Sequence, residues 1–273
     1  MPEHIDRAEG RRLFGLNPQG YDATRPPYPD ALYRFLVDAT GLRANTAALE
    51  IGGGTGFATR RLIALGANPL TVLEPDVRFR PSLEAIAGAT NARVDIIDSD
   101  FESFDAPHHD YELIAAATSF HWVQPAVGVA KLARLLRPGG HAALWWNVLQ
   151  DRDRTDRFHV ATEHVLRDLA VSPAGAPGSV PFALDRPARA ADFARTAAFE
   201  PVRYFETCWT HVLDTHGIGK LYEGFSHIQR LDPDVRDEIL RQLMAIADTQ
   251  FGGVVERNVT SVLYVARRKE EHL

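Results

Sequence analysis

Three glycines at alternate positions, Gly52, Gly54 and Gly56, join an apolar run to a helical one in ALEIGGGTGFATRRLIALG, residues 48–66. A strand that ends in glycines lets the backbone approach a ligand with no Cβ in the way. In a doubly wound sheet, ligands sit beyond the carboxyl ends of the strands, where the strand order reverses. Glu74 closes the next apolar run, TVLEPD, 18 residues beyond Gly56. A carboxylate there can accept hydrogen bonds from two vicinal ribose hydroxyls, and such charge-assisted bonds are comparatively strong. Both features point to a nucleoside without saying which.

The dinucleotide fingerprint G-x-G-x-x-G/A needs Gly or Ala at position 57, counted from Gly52. That residue is Phe57, and Thr59 fills the equivalent place counted from Gly54. The third dinucleotide glycine serves close packing of helix on strand, which Phe would prevent. A nicotinamide cofactor is therefore disfavoured.

The elements that must hold these residues follow in order. YPDALYRFLVDATG reads as a helix with Pro29 at its first position, a buried face of Leu32, Phe35, Leu36 and Ala39, and Gly41 as its stop. TAALEI, PLTVLEP, ARVDIID, YELIAAAT and HAALWWNV are apolar strand runs, separated by helices that include one around residues 77–87 and VQPAVGVAKLARLL, stopped by Pro-Gly-Gly. Unbroken apolar strands alternating with helices predict a parallel sheet covered on both faces. Beyond Asp151 a polar helix leads into VSPAGAPGSVPFALDRPAR, read as a loop or insertion, and then two helical stretches lie between VRYFETCWTHVL and RNVTSVLYVARR. Those two runs alternate polar with apolar residues, as an antiparallel pair at a sheet edge would. The expected fold is α/β: a doubly wound, mostly parallel seven-stranded sheet with an antiparallel C-terminal edge and a helical insertion. No linker separates two halves, so residues 1–273 are expected to form one domain. Its parts would be an arm at 1–30, a ligand-binding core at 46–147 and an insertion at 150–230.

The run Glu50-Ile51-Gly52-Gly53-Gly54-Thr55-Gly56 resembles the first motif of the class I S-adenosylmethionine-dependent methyltransferases, an acidic residue followed by G-x-G-x-G. That resemblance implies a Rossmann-like fold, S-adenosyl-L-methionine as cofactor and an EC 2.1.1 activity, with Glu50, Gly52, Gly54, Gly56 and Glu74 at the cofactor. The segment IIDSDFESFD is similar to the family's adenine-binding segment, which gives Asp100 to the adenine amino group and the Phe101 backbone amide to the ring. SFHWV followed by LLRPGG, together with YDATRPPYP and YEGFSHIQRL, looks like small-molecule enzymes of the trans-aconitate type. By that likeness Tyr21 and Arg25, with Tyr28 as a further candidate, belong to a lid that reaches the cofactor's amino-acid end. Ser226 and His227 would then line the acceptor pocket. One departure is Glu112 in YELIAA, where many relatives carry Asp.

Methyl transfer from a sulfonium is an in-line displacement, so the protein mainly aligns the reactants and excludes water. A base is needed only where the acceptor has a proton to lose. His121, just past the fourth strand and near neutral in its ordinary pKa, is the candidate catalytic residue. Trp122 reads as core, and Trp145 and Trp146 as packed strand residues without a function. His211, His216 and His227 lack metal-site spacing, so no metal is expected. Cys208, the single cysteine, reads as a packed thiol.

A net charge of −6 gives no overall basic field for nucleic acid or anionic membrane. No apolar run reaches the ~18 residues of a membrane span, and the N-terminus lacks the apolar core of a signal peptide. A cytoplasmic enzyme acting on a small molecule is expected, with oxygen as the methylated atom and the oligomeric state open. Two alternatives stand beside it: a nicotinamide-dependent oxidoreductase, and a catalytically silent cofactor-binding protein of the same fold.

Overall fold

The computed structural model describes residues 4–13, 25–106, 110–175 and 179–270. Its sheet has seven strands in the order β3-β2-β1-β4-β5-β7-β6, mostly parallel with antiparallel edge strands. The strands are β1 (Thr46–Ile51), β2 (Ala67–Leu73), β3 (Val94–Ile97), β4 (Tyr111–Ala117), β5 (Leu136–Val148), β6 (Arg203–Asp214) and β7 (Val254–Arg267). Strand β1 pairs in parallel with β2 on one side and β4 on the other, so the chain reverses its direction of travel across the sheet at β1 and β4. The fold class expected from the alternating runs is the one observed.

The helices are α1 (Arg7–Leu13), α2 (Asp30–Thr40), α3 (Phe57–Ala64), α4 (Arg80–Gly88), α5 (Pro125–Leu135), α6 (Arg157–Leu166), α7 (Arg186–Ala194), α8 (Thr215–Glu223), α9 (Ser226–Gln229) and α10 (Pro233–Phe251). Pro29 is the N-cap of α2 rather than its first residue, and Gly41 ends the helix in the left-handed region at φ 69°. The buried face of α2 is Leu32, Tyr33, Leu36 and Ala39. Phe35, expected there, is half-buried and packs on the ring of Phe205 at 5.4 Å.

Three local expectations are corrected. Pro138-Gly139-Gly140 does not separate helix from strand, because β5 begins at Leu136 and runs through it. The register jumps there, from Tyr111↔Leu136 to Leu113↔His141, so the extra residues of β5 are taken up in a bulge, with Gly139 at φ 77°. The stretch read as a loop or insertion ends inside α7, whose first residues are Arg186 to Arg189 and whose N-cap Asp185 accepts from the Ala188 amide at 3.1 Å. Cys208 is exposed, because alternation along β6 turns it outward with Glu206.

The chain divides into two compact units. One holds residues 28–146, 183–206 and 262–273, with a core built from Leu32, Leu36, Leu62, Leu70, Leu113 and Trp145 among others. The second holds residues 1–27, 147–182 and 207–261. Its core gathers Phe158, Ile218, Leu221, Tyr222 and Leu243. In the second unit Arg257, 2% exposed, donates from Nε to Asp156 Oδ2 at 2.8 Å and from Nη1 to the Tyr222 hydroxyl at 2.9 Å. Among the described residues no helix is long and apolar enough to cross a membrane.

Candidate functional site

The carboxyl ends of β1 and β4 lie side by side at the strand-order reversal, the place in an open α/β sheet where ligands bind. Beyond β1 the chain turns through Gly52–Gly56 into α3. Gly52 has φ 76°, and a Cβ there would lie 2.7 Å from the Ser119 Cβ. Ser119 crosses close because its hydroxyl donates to the Ile51 carbonyl, tying the end of β4 to the end of β1. Gly54, at φ 53°, differs: among the described residues a Cβ built on it meets nothing within 4 Å. The turn thus presents bare backbone to open space, a cradle that fits a ligand needing close approach.

Glu74 holds this turn in place. It is buried, its Oε2 accepts from the Gly54 amide at 2.7 Å and its Oε1 from the Asp76 amide at 2.9 Å. A carboxylate has about four lone-pair sites across its two oxygens. Two β strands thereby converge on one carboxylate at the ligand end of the sheet.

Glu50, inside β1, is 1% exposed, and Thr59 Oγ1 donates to its Oε2 at 2.6 Å. Its Oε1 is buried with no hydrogen-bond partner. Across the sheet it lies beside Val72 and Ala115. Burial first, and then the charge of Glu74, push its pKa up to about 8 against the opposing Thr59 hydrogen bond.

The segment after β3 is pinned from below. Asp100 Oδ1 accepts from the Ser103 amide at 2.7 Å, and Lys131 of α5 donates to the carbonyls of Glu102 and Phe104. Burial holds the Lys131 pKa below its usual value. The Phe101 ring is buried, 6.4 Å from the ring of Phe120 and with the Lys131 ammonium 5.4 Å from its centroid. That burial fixes the backbone of residue 101, the part expected to meet a base.

Past β4 the chain makes a 3-10 turn, Phe120–Trp122, all three side chains buried. Trp146 of β5 donates its indole N–H to His121 Nδ1 at 3.1 Å. Indole nitrogen only donates, so Nδ1 must accept, and a neutral imidazole accepting there carries its proton on Nε2. The lone pair a general base would use is therefore engaged by Trp146, which runs against the base role expected of His121. Trp146, read from the sequence as packing alone, sets this tautomer. Tyr28, on the same unit, shares a hydrogen bond with the Thr118 hydroxyl at 2.6 Å and packs edge-on to Phe57 and Trp145.

The remaining expected residues belong to the second unit or lie outside the described ones. Tyr21 is outside the described residues. Arg25 donates to the Gly224 carbonyl at 2.9 Å, and its guanidinium sits 5.2 Å from the Phe225 ring centroid. Phe225 also stacks on His227 at 5.4 Å. Burial and the nearby Arg25 cation pull the His227 pKa down to about 4, so this ring is neutral at physiological pH. Ser226 is buried at the start of α9. Among the described residues no group of three or more His, Cys, Asp or Glu is placed to hold a metal ion.

Comparison with known proteins bears on this geometry. Residues 48–140 match a family model described as a methyltransferase domain. An uncharacterized methyltransferase of Mycobacterium tuberculosis is 33% identical over 139 residues, 51% of this chain and 54% of that protein. The match thus spans about half the length of that curated relative. An uncharacterized methyltransferase-like protein of Schizosaccharomyces pombe is 25% identical over 91% of this chain and 90% of its own. Among solved structures, the 4+2 cyclase SpnF superposes with a TM-score of 0.60 at 15% identity, covering 99% of this chain and 98% of that one. A phosphoethanolamine N-methyltransferase of Haemonchus contortus, solved with S-adenosylhomocysteine, gives a TM-score of 0.55 at 11% identity over 94% of this chain and 57% of its own. These structural likenesses carry the fold. The matched domain lies over the segment that holds the glycine turn.

Proposed function

We propose that this protein binds S-adenosyl-L-methionine over the Gly52–Gly56 turn and transfers its methyl group to an oxygen atom of a small molecule. The observation that carries the reading is the glycine turn at the strand-order reversal, with open space over Gly54 and the carboxylate of Glu74 bound to its amide. In this reading Glu74 accepts from the ribose hydroxyls, and Asp100 with the Phe101 amide receives the adenine. Gly52, Gly54 and Gly56 admit the ligand's backbone-facing side, and Glu50 lies behind them. Tyr21 and Arg25 belong to the arm that serves the amino-acid end. The bound cofactor supplies an activated methyl on a sulfonium. The chain's own residues orient it and keep water away.

With its Nδ1 engaged by Trp146, His121 favours acceptors that have no proton to lose, and a carboxylate oxygen is the simplest of these. The test is a transfer assay with methyl-labelled S-adenosylmethionine against a panel of small carboxylic acids, phenols and amines, with RNA as a macromolecular control. Label in a carboxylate ester supports the reading; label only in RNA or only in an amine overturns the acceptor class. A fold does not fix its chemistry, so binding without label in any acceptor would support a second reading, a cofactor-binding protein of this fold with no methyl transfer.

A further inference from the structure

Glu50 is a buried acid with no counter-charge among the described residues. Among the described residues its Oε1 has no hydrogen-bond partner and its Oε2 accepts from the Thr59 hydroxyl, and its neighbours across the sheet are Val72 and Ala115. The titratable groups that face it are Tyr33 from α2 and Glu74 at the end of β2, with Thr59 from α3 as the polar contact. None is basic. A carboxylate in such a place is costly, and a second carboxylate nearby raises the cost. The turn it precedes, two residues on, leads to the open space over Gly54.

S-adenosylmethionine carries a sulfonium and an ammonium against a single carboxylate, so the ligand is a net cation beside its nucleoside. Resting on the reading of the turn given above, we propose that Glu50 is protonated in the free protein and loses its proton when a cationic nucleoside binds, so that binding releases a proton. The carboxyl O–H bond breaks, the proton passes to solvent buffer, and the carboxylate is left to balance the ligand's charge. Binding then competes with protonation of Glu50. Affinity for the cation rises with pH up to about 8, where the free protein's carboxyl titrates, and levels off above it. The same carboxyl has a pKa raised above its unfolded value. Its contribution to stability is therefore complete at acid pH below the ordinary carboxyl range and is lost as pH rises through about 8.

The experiment is calorimetric titration of the whole protein at pH 7 with S-adenosylmethionine, in buffers of differing ionisation enthalpy. The slope of heat against buffer enthalpy counts protons. The expected count is about one proton released per ligand, as linkage requires for a group protonated before and ionised after binding. Adenosine, the nucleoside without the cations, is expected to bind with no release, and Glu50→Gln is expected to bind S-adenosylmethionine with none. Infrared difference spectra of the unaltered protein give a second readout, the loss of a protonated-carboxyl band on binding. Binding without proton release, or release that persists in Glu50→Gln, overturns the proposal and leaves the cofactor reading intact. Absence of any binding by these ligands overturns the cofactor reading itself.

Discussion

The indole of Trp146 decides which nitrogen of His121 carries the proton, and that decision changes what His121 can do. Replacing Trp146 with Phe keeps an aromatic ring and removes the donor. Nitrogen-15 NMR of labelled histidine should then show His121 moving from a single Nε2–H tautomer to a mixture; an unchanged spectrum would mean another group fixes the ring. At Glu74, substitution by Ala is expected to weaken binding of S-adenosylhomocysteine by about 1.5–3 kcal/mol, the usual worth of hydrogen bonds to a charged group. An unaltered affinity in a folded variant would remove Glu74 from the ribose. Glu50, the glycines and Glu74 are legible in the sequence because each sits at a fixed step from a strand end. The Trp146–His121 bond is not, since its partners are 25 residues apart and meet only when β4 and β5 pair. Cys208 misleads for a related reason: alternation identifies two faces of β6 but not which of them is covered.

At the scale of elements, the turn between β1 and α3 carries the account. Gly54→Ala places a methyl in space that no atom of the described residues fills, at a φ that costs an L-residue about 1–2 kcal/mol. The variant should fold with that modest loss by urea unfolding, yet bind S-adenosylhomocysteine at least about tenfold more weakly, a loss of some 1.4 kcal/mol. Gly52→Ala makes the contrast, because its Cβ would press on Ser119 and disturb the tie between β1 and β4. If Gly54→Ala binds as well as the unaltered protein, the open space is not the ligand's. Most elements are visible as apolar runs, but their limits are not. Pro-Gly-Gly signals a stop to a reader of the sequence, whereas β5 absorbs it as a bulge beside β4. Helix α7 hides behind Pro187 and a run of alanines, because its stability comes from the Asp185 cap and the buried Phe193 rather than from a wide apolar face.

For the whole molecule, the alternation of strands and helices makes the fold class readable, since a parallel sheet needs a covering crossover between its strands. The grouping of distant segments into two compact units is not readable, because no linker marks it and residues 1–27 join others more than a hundred positions away. Within the second unit, Asp156 both caps α6 through the His159 amide at 2.8 Å and neutralises Arg257. Asp156→Ala leaves a buried guanidinium without its carboxylate. It should lower stability by about 3–5 kcal/mol in urea unfolding, the range for breaking one side of a buried ion pair. A loss below about 1 kcal/mol would mean the pair is solvated in solution.

The central claim, that the glycine turn admits S-adenosylmethionine rather than a dinucleotide, is tested most directly by calorimetric titration of the protein with S-adenosylhomocysteine beside NAD and NADP. The account predicts saturable one-to-one binding of S-adenosylhomocysteine and no heat from either dinucleotide. Binding of NAD or NADP, with none of S-adenosylhomocysteine, would contradict it.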